Sequence, residues 1–122
     1  MNNNSQKQGQ EGEIIARKYL ISKGYELLEL NWRFRKYEID IIAKKDETIV
    51  FVEVKTRKSN TFGEPEVFVT KQKQNFLIAA ANQYLIENNI DLESRFDIIS
   101  VLQFNNNHTV KHLEAAFYPL LK

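Results

Sequence analysis

The chain has 122 residues, 43% of them hydrophobic and 27% charged, which fits one globular domain and excludes a disordered tail or two independent cores. It has no cysteines, so disulfide scaffolds, thiolate zinc sites and cysteine nucleophiles are excluded, and a formal charge of +1 gives no global attraction to a polyanion, which only a local patch would hold. No apolar run approaches the roughly 20 residues that span a bilayer, and the N-terminus lacks an apolar signal core, so a cytoplasmic location without a membrane partner is expected.

Residues 1–9 are rich in Asn, Gln and Ser and read as a disordered lead-in to a single domain over residues 10–122. A helix is predicted over residues 10–23, where Ile14, Ile15, Ala16, Tyr19, Leu20 and Ile21 form an apolar stripe and Gly24 follows as a stop. Strands follow over 25–32, 37–43 and 48–56, the first two separated by Arg33, Arg35 and Lys36 and the last two by a charged turn, giving a three-strand meander. Residues 58–65 read as a loop.

Thr70 suits the N-cap of a helix over 71–87, whose apolar side carries Phe76, Leu77, Ala80, Ala81, Tyr84 and Leu85. The run 95–104 is apolar on both faces, as in a strand covered on both sides, and a last strand is predicted over 109–113. The order is helix, three-strand meander, helix, strand, strand. A helix separates the strand of Glu53 from that of Phe96, so the two can be parallel neighbours. The fold class is α/β, a mixed sheet flanked by helices.

The hairpin over residues 38–55 carries Glu38, Asp40, Glu53 and Lys55 where a strand prefers Val or Ile. Strict alternation would put Glu38 and Asp40 on one face and Ile39 and Ile41 on the other. With the turn between Asp46 and Glu47, Asp40 falls opposite Glu53 and Glu38 opposite Lys55, a square of four charges. Like charges opposed across a ladder are destabilising, and a hard divalent cation would neutralise them through oxygen ligands. An isolated Glu-x-Lys in a strand is ordinarily a solvated, salt-bridged face. Here Phe51 on the same face and Asp40 at the matching height speak against that plainer reading.

Asp40 followed by Glu53-Val54-Lys55 is similar to the core motif of the PD-(D/E)XK nuclease superfamily, whose element order matches the one above. More narrowly, Gly12-Glu13, Asn31, Glu38-Ile39-Asp40, Phe51-Val52-Glu53-Val54-Lys55, Phe62-Gly63, Lys71 and Arg95-Phe96-Asp97 together resemble the small, uncharacterised YraN-like family, over residues 9–102. Tyr37 and Gln74 depart from that family's pattern, which has Gly and a basic residue there. The chain also resembles archaeal Holliday-junction resolvases, in which a glutamate of the first helix joins the same core.

The resemblance implies a restriction-endonuclease-like fold in which Asp40, Glu53 and the main-chain carbonyl of Val54 hold Mg²⁺, with Mn²⁺ as a substitute. Lys55 would orient or polarise the attacking water; an unperturbed lysine, with a pKa of about 10.4, suits charge stabilisation better than proton abstraction. Glu13 would be a further ligand or water holder, unless it simply pairs with Arg17 one helical turn on. Glu38 is accessory, or neutralises Lys55.

Arg33, Arg35, Arg57 and Lys71, with Lys36, Lys58 and Lys73 and the interleaved Trp32, Phe34 and Phe62, offer a rim for phosphates and unstacked bases. The expected function is hydrolysis of phosphodiester bonds in DNA, on branched or single-stranded repair and recombination intermediates, with a homodimer by analogy to resolvases. The alternative is a nuclease-fold module that binds nucleic acid or a protein without turnover, which the near-neutral charge favours. His108 and His112 are expected at the surface.

Overall fold

The computed structural model describes residues 3–58, 69–104 and 106–119. The element order is α1 (Asn3–Ser22), β1 (Glu26–Phe34), β2 (Tyr37–Lys45), β3 (Thr48–Lys58), α2 (Lys71–Glu87), β4 (Glu93–Phe104) and β5 (Asn107–Phe117). The strands form one five-stranded sheet in the order β1-β2-β3-β4-β5. Neighbours are antiparallel except β3 and β4, which run parallel. The expected α/β mixed sheet with two helices is the fold observed. Most of the loop expected over residues 58–65, Phe62 included, lies outside the described residues.

Each helix is shaped by a short apolar stripe and a defined stop. On α1, Gly12, Ala16 and Leu20 recur every fourth residue and are buried, the spacing of one helix face. The helix ends at Gly24, which adopts φ 90°. Gly24 N–H donates to the Ile21 carbonyl and Tyr25 N–H to that of Leu20, both at 3.0 Å, and Tyr25 packs in the same core cluster as Leu20, the bonding and apolar contact of a Schellman cap.

On α2 the buried stripe is Leu77, Ala80, Ala81 and Tyr84. Thr70 Oγ1 caps the N-terminus by accepting from Lys73 N–H at 3.2 Å. Asn89, at φ 56°, takes the position that glycine holds after α1. The first helix starts at Asn3 and not near residue 10; a polar segment with no apolar stripe carries no periodic signal, yet it extends a helix already nucleated downstream.

The two helices cover opposite faces. Beneath α2 lie Ile39, Ile42, Ile49, Phe51, Phe96 and Ile98; beneath α1 lie Ile41, Ala43, Val50, Val52, Ile99 and Val101. Strand β4 therefore has apolar residues on both sides, as its sequence predicts. Strand β5 runs four residues past its expected end, because Glu114, Ala115 and Ala116 stand against the single Asp97 and interrupt the alternation. Ala115 has φ 52° in this bulge. Among the described residues no helix is long and apolar enough to cross a membrane.

Helix α1 crosses β3 at Gly12. A Cβ placed there would lie 2.8 Å from Cγ2 of Thr56 and closer still to its hydroxyl. Glycine weakens a helix interior by about 1 kcal/mol relative to alanine, so its presence here reflects the close approach of the helix backbone to the Thr56 side chain. Gly12→Ala is expected to lower stability by about 1–2 kcal/mol, the overpacking cost less the gain in helix propensity. Thr56→Ala in the same chain should recover part of the loss, as read by thermal or urea denaturation.

Candidate active site

The β2–β3 ladder runs in the expected register from Lys45↔Thr48 to Ile41↔Val52. One step further, where Asp40 would meet Glu53, the side chain of Asp40 replaces the backbone: its Oδ2 accepts the Val54 N–H at 2.8 Å. On the β1 side the flanking pairs are Leu30↔Ile41 and Trp32↔Ile39, and between them Asn31 adopts φ 51°. The pleat is broken at this point, since Ile39 packs under α2 while Ile41 packs under α1.

The expected square, with Ile39 and Ile41 sharing a face and Glu38 opposing Lys55, is thereby corrected. Strict alternation fails because the left-handed residue in β1 and the carboxylate bond to β3 reshape β2 around Asp40.

The other expected side chains reach this fork from several elements. Glu53 follows Phe51 on the α2 side and lies 3.3 Å from Lys73 Nζ, in the first turn of α2. Lys55 is two residues further along β3 and half-buried; among the described residues it forms no ion pair. Glu38 pairs with Arg33 at 3.7 Å instead of neutralising Lys55. Glu13 follows Gly12, so the contact of α1 with Thr56 sets its position. It lies 3.4 Å from Arg17, and the Asn31 side chain favours its charged form. The helical pair with Arg17 is present, and the carboxylate feels the charge of Glu38 and Glu53.

Burial, and next the charge of Glu53, push the Asp40 carboxyl up to about 8 against the opposing Val54 N–H; Glu13 and Glu38 add to the rise. Glu13 is also raised, chiefly by burial, with Arg17 and Asn31 acting against the repulsion of Glu38 and Glu53. The four carboxylates therefore feel one another's charge. Among the described residues no three acidic or histidine side chains converge on one ion position. The candidate donors are the carboxylates of Asp40 and Glu53, which repel one another, and the main-chain carbonyl of Val54. Oxygen donors carrying mutual repulsion fit a hard cation that keeps several waters.

Of the basic rim, Arg33, Arg35, Arg57 and Lys71 are exposed. Arg35 lies over the Phe34 ring, 5.1 Å from its centroid. Two of the aromatics expected on the rim belong to the core instead: Trp32 and Phe34 pack against the cluster under α2, and Trp32 meets Tyr84 edge-on at 5.2 Å.

A second polar cluster lies under α1. Asp97, 1% exposed, accepts four hydrogen bonds, two from Arg95 at 2.9 Å, one from His112 Nε2 at 2.7 Å and one from Ala115 N–H at 3.0 Å. A carboxylate only accepts, so Nε2 donates, and Nδ1 is left to accept from the Tyr19 hydroxyl at 3.1 Å. Arg95 also donates to the Tyr25 hydroxyl at 2.6 Å. Burial raises the Asp97 carboxyl, but the bonds from His112, Arg95 and Ala115 outweigh it and hold it below the usual range. His108 is exposed as expected, whereas His112 is nearly enclosed. It stands opposite Ile99 in the regular part of the β4–β5 ladder, on the face that α1 covers, and an isolated histidine beside a predicted turn carries no signal of that.

The family model described as uncharacterised protein family UPF0102 matches residues 12–101. The chain belongs to this family. It is the YraN-like family of the sequence resemblance, and the matched residues include the fork and, of the second cluster, Tyr19, Tyr25, Arg95 and Asp97. Among its relatives is a UPF0102 protein of Flavobacterium psychrophilum, 49% identical over 110 residues that cover 90% of this chain and 92% of the relative. UPF0102 proteins of Phocaeicola vulgatus, at 44% over 91% of this chain and 92% of theirs, and of Alkaliphilus oremlandii, at 45% over 93% and 99%, are similar across the same span.

The raised Asp40 carboxyl has a consequence for stability. An unfolded Asp loses its proton near pH 3.9, whereas the folded Asp40 keeps it up to about 8. The stabilisation from this proton is full below about pH 4 and is lost as pH rises through 8. Asp40→Asn, which keeps an acceptor for Val54 N–H, is expected to remove that decline. In divalent-free buffer at pH 8 its midpoint should exceed that of the native chain by roughly 5 °C, as read by differential scanning calorimetry from pH 5 to 9.

Proposed function

We propose that the protein is a divalent-metal-dependent nuclease of the PD-(D/E)XK type that hydrolyses phosphodiester bonds in DNA. The supporting observation is the fork itself: Asp40 and Glu53 part-buried at the point where β2 leaves β3, Asp40 raised by its neighbour's charge, and Lys55 two residues beyond. Asp40 through its Oδ1, Glu53 and the Val54 carbonyl would hold Mg²⁺, or Mn²⁺ in its place. When bound, such an ion acidifies a coordinated water and neutralises charge on the phosphate.

The remaining roles fall to the chain's own residues. Lys55 supplies a positive charge near the attacking water and the phosphate, and Glu13 holds a water by hydrogen bonding. Arg33, Arg35, Arg57 and Lys71 contact phosphates of the strand, which fixes its register without reading its sequence. Branched or single-stranded repair and recombination intermediates are the proposed substrates. A homodimer would place two such sites on one junction.

A second reading, a nuclease-fold module that binds without turnover, is favoured by the net charge of +1, since phosphate neutralisation normally leaves a basic excess. Purified protein assayed with Mg²⁺ and with Mn²⁺ on single-stranded, duplex and four-way-junction DNA, alongside calorimetric Mn²⁺ titration, separates the two. Asp40→Ala and Glu53→Ala should lose both ion binding and cleavage. Lys55→Ala should keep the ion but cleave at least about 100-fold more slowly, the scale of one lost electrostatic group. Cleavage by Asp40→Ala at the native rate would end the nuclease reading, and a native chain that takes up no Mn²⁺ would favour the binding module.

A further inference from the structure

Lys73 stands out because, among the described residues, it is the cation paired with Glu53. The N-cap bond from Lys73 N–H to Thr70 Oγ1 at 3.2 Å fixes its backbone, and Gln74 Nε2 donates to the Val69 carbonyl at 2.9 Å in the same turn. From this anchored position the four-carbon side chain carries Nζ to 3.3 Å from Glu53 Oε2. The two partners differ in exposure: the side chain of Glu53 is 12% exposed and that of Lys73 is 46% exposed. Glu53 is therefore confined, while Lys73 has open space into which it can swing, as a flexible ammonium does.

The contact matters because Glu53 is one of only two carboxylates in the donor set described above. A lysine paired with it competes with any cation for the same oxygen, and once displaced it is a free positive charge beside the place where a phosphate would lie.

We propose that Lys73 is an exchangeable counter-ion and substrate-positioning residue: it neutralises Glu53 in the ion-free protein and passes to a DNA phosphate when a divalent cation takes its place. This rests on the nuclease reading of the fork. It makes ion loading and substrate contact mutually supporting, because each ligand relieves the other's competition for Lys73. Lys73 differs in this from the exposed rim residues, which gain nothing from ion binding.

The test is Lys73→Met, which keeps chain length and helix propensity but lacks the charge, with Lys73→Arg as the charge-retaining control. Calorimetric Mn²⁺ titration without DNA, at one fixed pH and low salt, should show Lys73→Met binding the ion roughly fivefold more tightly, the size expected for loss of a half-exposed ion pair. Lys73→Arg should stay near the native value. With DNA, Lys73→Met should raise KM severalfold with kcat changed much less, and the salt dependence of DNA binding should fall by about one phosphate contact.

A merely structural lysine would not tighten ion binding when removed. Mn²⁺ affinity of Lys73→Met equal to or weaker than native overturns the counter-ion role and leaves the nuclease reading standing. Absence of Mn²⁺ uptake by the native chain overturns both.

Discussion

The hydrogen bond from Val54 N–H to the Asp40 carboxylate is the contact from which the site's other properties follow. In an uninterrupted antiparallel ladder that N–H would be met by a main-chain carbonyl of β2. Here a side chain meets it, so the strands part without leaving a buried donor unpaired, a defect that would cost about 1–3 kcal/mol. The bond also draws the carboxylate inward. One oxygen is used, and the charge is held where water solvates it poorly and Glu53 repels it. The raised carboxyl, the fork and the exposed oxygen pair are three consequences of one substitution of side chain for backbone.

Asp97 shows what the same residue type does when the surroundings differ. Both aspartates lie in strands, and both are pushed up by burial. Asp97 receives two bonds from a guanidinium, one from an imidazole and one from the Ala115 N–H, so its charged form is favoured and its carboxyl falls. Asp40 receives one N–H and faces three other carboxylates, so its carboxyl rises. A fully satisfied buried carboxylate has no capacity left for a ligand. It joins β4 to the bulge of β5 and, through His112 and Arg95, to Tyr19 and Tyr25 at the end of α1. The under-compensated carboxylate is the one that invites a cation.

The legible parts of this structure were those governed by local periodicity. The buried stripe of α2 with its Thr70 cap, the double-sided burial of β4 and the register of the β2–β3 turn follow from residue spacing alone, and each is as the sequence predicts. The departures occur where the backbone leaves a regular pattern. Asn31 at φ 51° and Ala115 at φ 52° each mark a break in strand alternation, one where Ile39 and Ile41 come to lie on opposite faces, the other in the bulge through which β5 continues past Leu113. Asn is a known tenant of the left-handed region, so Asn31 offered a faint sign, but Ala115 offered none. Partner choice among charges was equally hidden: Glu38 finds Arg33 and Glu53 finds Lys73, pairings set by strand neighbours and by a helix that begins more than ten residues after β3 ends.

The charge balance at the fork ties these pieces together. Near neutral pH the Asp40 carboxyl retains its proton, and Glu53 is met by an ammonium. The fork thus carries one proton and one lysine charge against the carboxylates of Asp40 and Glu53. On the nuclease reading, a divalent cation would bring the same total charge in a single body, so its entry need not change the net charge of the fork; it would exchange a proton and an exposed ammonium for an ion. Such an exchange requires that neither partner of the ion-free state be held as firmly as Asp97 is. The single N–H on Asp40 and the half-exposed Lys73 meet that requirement, while the glycine contact of α1 with Thr56 keeps Glu13 close enough to raise Asp40 without supplying a third fixed oxygen.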